Sequence, residues 1–205
     1  MEKKYRTEKD PKTGLLRIIA LKDLGGFDEV RKGDKGGLIE KEENLSQKGY
    51  CWVFKNARVE GNAKVYEDAY VEDEAKISGD AEVFGDARVC ENAQISGKAQ
   101  VFQEATVEGN AKVSGDAWVW GHVFVSGNAK ISGNARVHEE AEVWGNAKIF
   151  GDAEVCGDAK VYDNAEISGN AKVYGHAEVY EGGKVSGKAC VCGKTEIKGY
   201  KNTEG

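Results

Sequence analysis

The chain has 205 residues, of which 27 are glycine and one is proline, and 40% are hydrophobic. Much of that hydrophobic fraction is alanine and valine, which excludes a bulky helical core and favours a thin interior of small side chains. The net charge is −6 at pH 7, which argues against general attraction to nucleic acids or anionic membranes. The apolar runs are too short for a membrane-spanning helix, and the first residues lack a secretory signal, so we expect a cytoplasmic protein with no membrane partner.

Residues 1–49 do not follow the pattern of the later chain. The apolar run at residues 15–21 is bounded by turn-forming residues, which predicts a strand or a hairpin. The open end of a β-helix exposes unpaired strand edges that invite aggregation. We therefore interpret residues 1–49 as a capping segment in preference to a separate binding unit.

Residues 50–199 form about 25 consecutive hexads of the form Val/Ile-x-Gly-Asn/Asp-Ala-x without an insertion. Each hexad predicts a short strand with its Val or Ile pointing inwards, followed by a corner. Glycine supplies an unusual backbone angle there, Asn or Asp tolerates the left-handed conformation, and alanine fits beside the stacked corners. Residues 122–123 and 182–183 replace the Asn/Asp-Ala pair, so we expect distortion at those two corners.

The positions around each inward residue show a second period of about 18 residues, so three hexads make one coil. Isoleucines collect on one of the three faces, and only Ile197 belongs to another. A second face collects Tyr66, Phe84, Phe102, Trp120, His138, Cys156, Tyr174 and Cys192. The sequence therefore predicts an all-β fold: a left-handed parallel β-helix, triangular, of about eight coils, with a small N-terminal β cap and a short tail at residues 200–205.

The hexad resembles the hexapeptide-repeat superfamily of left-handed β-helices, best known from homotrimeric acyltransferases. The segments Lys32-Gly-Asp-Lys-Gly-Gly-Leu-Ile-Glu40 and Cys51-Trp-Val53 are similar to the opening of phage and prophage hexapeptide-repeat proteins that are labelled as transferases. An enzyme of this class implies a histidine general base and an acyl-CoA substrate. Here glycine stands one step later than in the family pattern and no loops interrupt the coils, which favours a protein without catalytic activity.

Three histidines are the candidates for a general base. His122 and His176 occupy corner slots that usually hold Asn or Asp, so we interpret them as corner substitutions. His138 points outward from a strand beside two glutamates and is the better catalytic candidate, although still a weak one. The five cysteines contain no C-x-x-C element, and the histidines do not form the three-His zinc set of β-helical carbonic anhydrases. We therefore predict no disulfide framework, no metal and no cofactor.

Outward aromatic residues predict an apolar face larger than a monomer would normally expose to solvent. Packing between subunits is the simpler explanation for such a face. Stacking of a ligand or of bases is the alternative. The open C-terminal end is a second candidate contact. We expect its exposed strand edges to be covered by a partner chain or protected from aggregation by its charged residues, Lys194, Glu196, Lys198 and Lys201. We expect a trimer or a dimer through one of these surfaces. The predicted interface residues are Tyr66, Phe84, Phe102, Trp118, Trp120 and Tyr174.

A mostly basic column lies on the isoleucine face and is flanked by serines. Such a column could bind phosphates, although lysines of this kind more often keep sheets apart. The candidate anion-binding residues are Lys76, Lys112, Lys130 and Lys148.

The leading functional hypothesis is a non-catalytic binding protein of phage or prophage type. It would be a rigid oligomeric rod that sequesters a host protein or a nucleotide-like ligand, with a role against host defence. The alternatives are an acyl-CoA-dependent acyltransferase using His138 and a purely structural assembly protein.

Overall fold

The computed structural model describes residues 3–25 and 29–199. This part of the chain is an all-β parallel solenoid of about nine turns with about 18 residues per turn, and it contains no α-helix. The predicted three-faced fold is therefore confirmed, with one turn more than expected, whereas the left-handed sense of the coil stays a prediction. One turn of 3-10 helix spans Glu42–Asn44. The tail at residues 200–205, which includes Lys201, lies outside the described residues.

The N-terminal part contains three longer strands: β1 (Tyr5–Lys9), β2 (Leu16–Ala20) and β3 (Lys35–Ile39). The first two pair antiparallel, as do β2 and β3. The third strand also pairs in parallel with the next strand of its sheet, joining Ile39 to Val59. It supplies the additional turn, and the sequence did not suggest this because the segment lacks the hexad pattern.

The remaining strands have two or three residues each. In chain order they are β4 (Trp52–Val53), β5 (Arg58–Val59), β6 (Lys64–Val65), β7 (Tyr70–Val71), β8 (Lys76–Ile77), β9 (Glu82–Val83), β10 (Arg88–Val89), β11 (Gln94–Ile95), β12 (Gln100–Phe102), β13 (Thr106–Val107), β14 (Lys112–Val113), β15 (Trp118–Trp120), β16 (Phe124–Val125), β17 (Lys130–Ile131), β18 (Arg136–Val137), β19 (Glu142–Val143), β20 (Lys148–Ile149), β21 (Glu154–Val155), β22 (Lys160–Val161), β23 (Glu166–Ile167), β24 (Lys172–Val173), β25 (Glu178–Tyr180), β26 (Lys184–Val185), β27 (Cys190–Val191) and β28 (Glu196–Lys198).

These strands form three sheets that run along the rod. The isoleucine sheet has 11 strands in the order β1-β2-β3-β5-β8-β11-β14-β17-β20-β23-β26. The aromatic sheet has eight strands, from β6 to β27, and the third sheet has nine, from β4 to β28. Within the repeat, each strand pairs in parallel with the strand one turn later, at an offset of 18 residues. The predicted sorting of outward residues into three faces is thus confirmed.

The interior of the rod is narrow and contains only small and branched apolar side chains along most of its length. Every corner alanine from Ala57 to Ala177 is fully buried, and so are most of the inward Val and Ile residues. At the N-terminal end larger side chains fill the wider space beneath the β1–β2 hairpin. Tyr5 packs edge-on against Trp52, with ring centroids 6.3 Å apart. Residues from the hairpin therefore cover the interior at this end.

Each corner places one residue in the left-handed region, and this residue is the one in the glycine slot. The slot holds glycine at most corners, and eight other residues, for example Glu67 and Glu139, adopt positive φ in the same slot. Asp73 and Asp163 are among these eight, but at the described corners the Asn or Asp that follows the slot does not adopt the left-handed conformation expected of it. These residues instead form side-chain ladders along the corner, with amide hydrogen bonds joining Asn110, Asn128, Asn146 and Asn164.

The two irregular corners differ from the others in backbone angles. Gly121, before the substituted pair at residues 122–123, has a φ of 87°, whereas φ at the remaining slot glycines from Gly49 to Gly193 lies between 66° and 75°. At the second irregular corner, Glu181 and Gly182 both have positive φ. The distortion expected at these corners is present.

At Gly115 a side chain is disfavoured both by the left-handed backbone angle and by the closeness of the next coil. A Cβ at Gly115 would lie 2.8 Å from the carbonyl oxygen of Gly133, whereas a Cβ at Gly187 would meet nothing within 4 Å. Both residues are in the same corner column with similar φ. We expect Gly187→Ala to cost about 1 kcal/mol from the left-handed backbone alone. Gly115→Ala should cost about 2 kcal/mol more, because the neighbouring coil must move.

Denaturant unfolding of the two variants measures this difference. Equal losses of stability in Gly115→Ala and Gly187→Ala would show that contact between coils does not restrict the slot.

Candidate functional site

The aromatic sheet carries a ladder of stacked rings on its outer surface. Successive rings lie one coil apart, with centroids separated by 4.3–5.7 Å and planes within 8° of parallel. This spacing follows from the parallel pairing of strands, which sets equivalent side chains about 4.8 Å apart. The ladder consists of Tyr66, Phe84, Phe102, Trp120 and His138.

Stacking hides much of the ring surface, so the aromatic face is less exposed than the sequence suggests. Tyr66, Phe84, Phe102 and Trp120 are half-buried. Of the predicted interface residues, Trp118 is 41% exposed and Tyr174 is 39% exposed. Trp118 stands beside the ladder, edge-on to Trp120 and under the guanidinium of Arg136. The six predicted residues thus lie on one sheet, but Tyr174 is separated from the ladder by the coil that carries Cys156.

A second, shorter ladder lies on the third sheet and comprises Trp144, Tyr162 and Tyr180. The phenol oxygen of Tyr162 donates to Glu178 at 3.0 Å, and burial raises the pKa of Tyr162 to about 12. The amine of Lys198 lies 4.9 Å from the ring centre of Tyr180 and makes a cation–π contact with this last ring of the ladder. Aromatic rings therefore reach the C-terminal end of the rod on this face.

His138 ends the first ladder and is the centre of a cluster of polar side chains. Its Nε2 lies 3.2 Å from Oε1 of Glu154, and its side chain is only 14% exposed. Cys156 lies on the next coil directly below it. Ligand atoms of His138, Glu154 and Cys156 all lie within 4.8 Å of one another. The sequence placed His138 and Cys156 in one column, but nothing in the 18-residue sorting indicated that Glu154, from the neighbouring column, turns towards them.

Hydrogen bonds and ion pairs with neighbouring residues orient the side chains of this cluster. Lys172 donates to the second carboxylate oxygen of Glu154 at 2.5 Å, and this bond lowers the pKa of Glu154. Burial raises the pKa of the Cys156 thiol. Glu139 lies 3.9 Å from Nδ1 of His138, while its other oxygen accepts a hydrogen bond from the backbone of Gly157. Glu139, one of the two glutamates that follow His138 in the sequence, is therefore bound mainly to the backbone of the next corner and not to the imidazole.

The other two histidines lie at corners. Nδ1 of His122 is 3.1 Å from Glu104, and Nδ1 of His176 is 3.4 Å from Asp158. Each contact joins equivalent corner positions of adjacent coils, as the Asn ladder does. The structure therefore brings neither histidine into the cluster around His138.

The predicted anion-binding lysines form an exposed row on the isoleucine sheet. The pairing sets Lys112, Lys130 and Lys148 on three successive strands, directly opposite one another. Lys76 lies two coils before them, separated by Gln94. The row is interrupted at its C-terminal side by Glu166, which pairs with Lys184 at 3.4 Å. Like charges at this spacing repel each other, and anion binding by the row stays a prediction.

The last described coil differs from all earlier coils in the exposure of its interior positions. Ala189 and Thr195 occupy the corner slot that is fully buried in the preceding coils, yet both are exposed. The inward Ile197 is half-buried, and it lines an open cleft with Lys184, Lys198 and Gly199. The strands β26, β27 and β28 are the terminal strands of the three sheets. This end of the described chain therefore presents apolar side chains and strand edges together.

Within residues 3–25 and 29–199, no helix has the length and apolar character needed to cross a membrane. No curated protein matches the chain.

A family model does match residues 87–190, and its description is bactofilin, polymer-forming cytoskeletal. This finding overturns the expected relationship to hexapeptide-repeat transferases and to phage proteins. The six-residue spacing did not identify the family, because it follows from the geometry of a three-sided coil and unrelated families share that geometry. The leading hypothesis of a phage or prophage binding protein is wrong for the same reason. Because the match covers just over half of its 205 residues, the chain belongs to the bactofilin family.

Proposed function

We propose that this chain is a structural subunit of a cytoskeletal polymer in the cytoplasm, and that its rods associate through their C-terminal ends. The single observation that carries the proposal is the exposure of Ala189, in a slot that is fully buried at every corner from Ala57 to Ala177. The family description, polymer-forming cytoskeletal, supports the same role. The third sequence hypothesis, a structural assembly protein, fits both observations.

The two ends of the rod differ, which restricts how rods can join. At the N-terminal end, the β1–β2 hairpin, Tyr5 and Leu24 are packed over the first coils. At the C-terminal end of the described chain, β26, β27 and β28 are the terminal strands of their sheets and the corner residues Ala189 and Thr195 are exposed, although the inward Val185 and Val191 are buried. Head-to-tail stacking would need both ends open. The favoured contact is therefore between two C-terminal ends, related by a two-fold axis.

A two-fold contact is closed, so a longer polymer needs a second contact between rods. The predicted interface on the aromatic sheet is suited to this purpose, because Trp118 and Tyr174 expose large rings on one side of the rod. Exposed aromatic side chains are enriched at the centres of protein interfaces. In this arrangement the contact between C-terminal ends joins two rods into a pair, and contacts between aromatic sheets join these pairs into a longer polymer.

Charged substitutions in the two surfaces test this arrangement. In the variant Ala189→Lys, Thr195→Lys, each two-fold contact would bring four ammonium groups together, so we expect single rods. Trp118→Lys should leave the end contact intact and stop assembly at pairs of rods. Both sets of positions are exposed, so the variants should fold. Sedimentation velocity and negative-stain microscopy measure the particle sizes.

Ser132→Lys is the matched control, since it adds a lysine at mid-rod on the isoleucine sheet and should assemble like the parent. Polymers of unchanged length from Ala189→Lys, Thr195→Lys would contradict the end contact. If residues after Gly199 cover the end, their deletion would increase assembly and the double lysine variant would have no effect, which would also contradict it.

A further inference from the structure

The cluster around His138 combines three different metal-binding side chains on two adjacent coils. His138 follows Val137 of β18, whereas Glu154 and Cys156 flank Val155 of β21. The two strands pair in parallel with Val137 opposite Val155. This register sets the imidazole directly above the thiol, and the carboxylate reaches across from the preceding outward position. All three groups therefore lie on the outer surface of one sheet.

The distances within the cluster are close to those of a coordination shell. In a tetrahedral zinc site with bonds of about 2.0–2.3 Å, neighbouring ligand atoms lie about 3.3–3.7 Å apart. Here Nε2 of His138 and Oε1 of Glu154 are 3.2 Å apart, and no ligand atom of the three is more than 4.8 Å from another. Rotation of the thiol about χ1 can change the longer separations without movement of the strands.

The imidazole and the carboxylate are held by neighbours that do not use their metal-binding atoms. The ring of His138 stacks on Trp120, with centroids 4.3 Å apart and planes 8° from parallel. Lys172 binds Oε2 of Glu154 and leaves Oε1 directed at the imidazole. Such outer contacts orient ligands in metal sites. Lys172 also places a positive charge nearby, which the two anionic ligands would have to outweigh.

The ligand types identify the class of metal. Imidazole and thiolate favour borderline-soft divalent ions such as Zn²⁺ and Co²⁺ over Mg²⁺ and Ca²⁺, which prefer oxygen ligands. Three protein ligands leave one position of a tetrahedral ion for water or for a group from another molecule. We propose that His138, Glu154 and Cys156 form a binding site for one zinc-type divalent ion on the aromatic sheet, at the end of the ring ladder.

Titration with Co²⁺ tests the site, because a bound thiolate gives a ligand-to-metal charge-transfer band and tetrahedral coordination gives intense visible bands. The titration uses the full chain with Cys190→Ser and Cys192→Ser, which removes the two exposed thiols near the C-terminal end. We expect one ion per chain, displaced by Zn²⁺ but not by Mg²⁺. Cys156→Ser should abolish the charge-transfer band, and His138→Gln should weaken binding more than about 100-fold, beyond the effect of an outer-shell change.

His176→Asn is the matched control, since it removes a corner histidine two coils away and should bind Co²⁺ like its parent. As a second measurement, Zn²⁺ should raise the melting temperature of the parent and of His176→Asn but not of Cys156→Ser. A charge-transfer band that persists in Cys156→Ser, or a parent that gives no tetrahedral Co²⁺ spectrum, would overturn the site.

Discussion

Replacing Ala117 with leucine is expected to lower the free energy of unfolding by about 3 kcal/mol, at the upper end of the usual range for an overpacked core. Ala117 is fully buried at the corner before β15, between the equally buried Ala99 and Ala135 of the two neighbouring coils. The larger side chain has to displace the backbone of neighbouring coils, because interiors are already packed as densely as organic crystals. Equilibrium unfolding in guanidinium chloride measures the loss.

Ala189→Leu is the matched control for this prediction. Ala189 occupies the same slot on the same face, four coils later, but is exposed at the last described coil. In a single rod, leucine there should change stability by less than about 0.5 kcal/mol, as expected for a surface position. If Ala117→Leu were as stable as Ala189→Leu, the narrow interior could not be the reason for the repeated alanine.

Trp52→Ala should cost about 3–5 kcal/mol, the range for removal of a large aromatic side chain from a core. Trp52 is 1% exposed and packs edge-on against Tyr5, so it connects the first coil to the β1–β2 hairpin. Its loss leaves a cavity that small neighbouring side chains cannot fill. Besides the lower stability, we expect faster proteolysis within the first 50 residues, because the hairpin loses its main contact with the coils.

The control for Trp52→Ala is the same substitution at Trp118, which is 41% exposed. Trp118 loses contacts with Phe102 and Trp120, worth about 1 kcal/mol together for exposed rings. Stability is measured by chemical denaturation and the cleavage sites by limited digestion with mass spectrometry. Equal effects of the two substitutions would contradict a joining role for Trp52.

The repeat allowed most of the fold to be predicted, because one hexad fixes a strand, a corner and an inward residue at once. The 18-residue period then placed Ile77, Ile95 and Ile131 on one face, as the structure has them. Prediction failed where the repeat is absent: β3 joins the solenoid in parallel although its sequence, Lys35–Ile39, has no hexad. The corner glycines supply the unusual backbone angle as expected, but the Asn or Asp after them does not adopt positive φ, although both Gly and Asn can take that conformation.

The candidate sites depended on side-chain positions that the period does not specify. The columns placed Trp120, His138 and Cys156 one above another and predicted an exposed aromatic face, but not the stacking of its rings on one another. The turn of Glu154 towards His138 depends on Lys172, one coil further on, and no local pattern indicates such a contact. The family could not be derived from the hexad, because a three-sided coil constrains the interior of many unrelated proteins in the same way.

The uninterrupted pairing of each strand with the strand 18 residues later has a consequence for how such a rod can change in length. Loss or duplication of one whole turn, for example residues 127–144, shifts everything beyond it along the axis by about 4.8 Å and leaves each face in line. Loss of six residues instead rotates all later faces by one third of a turn. The ring ladder would then continue into the lysine row or the third sheet. Length can therefore vary in whole turns while the surface pattern is preserved.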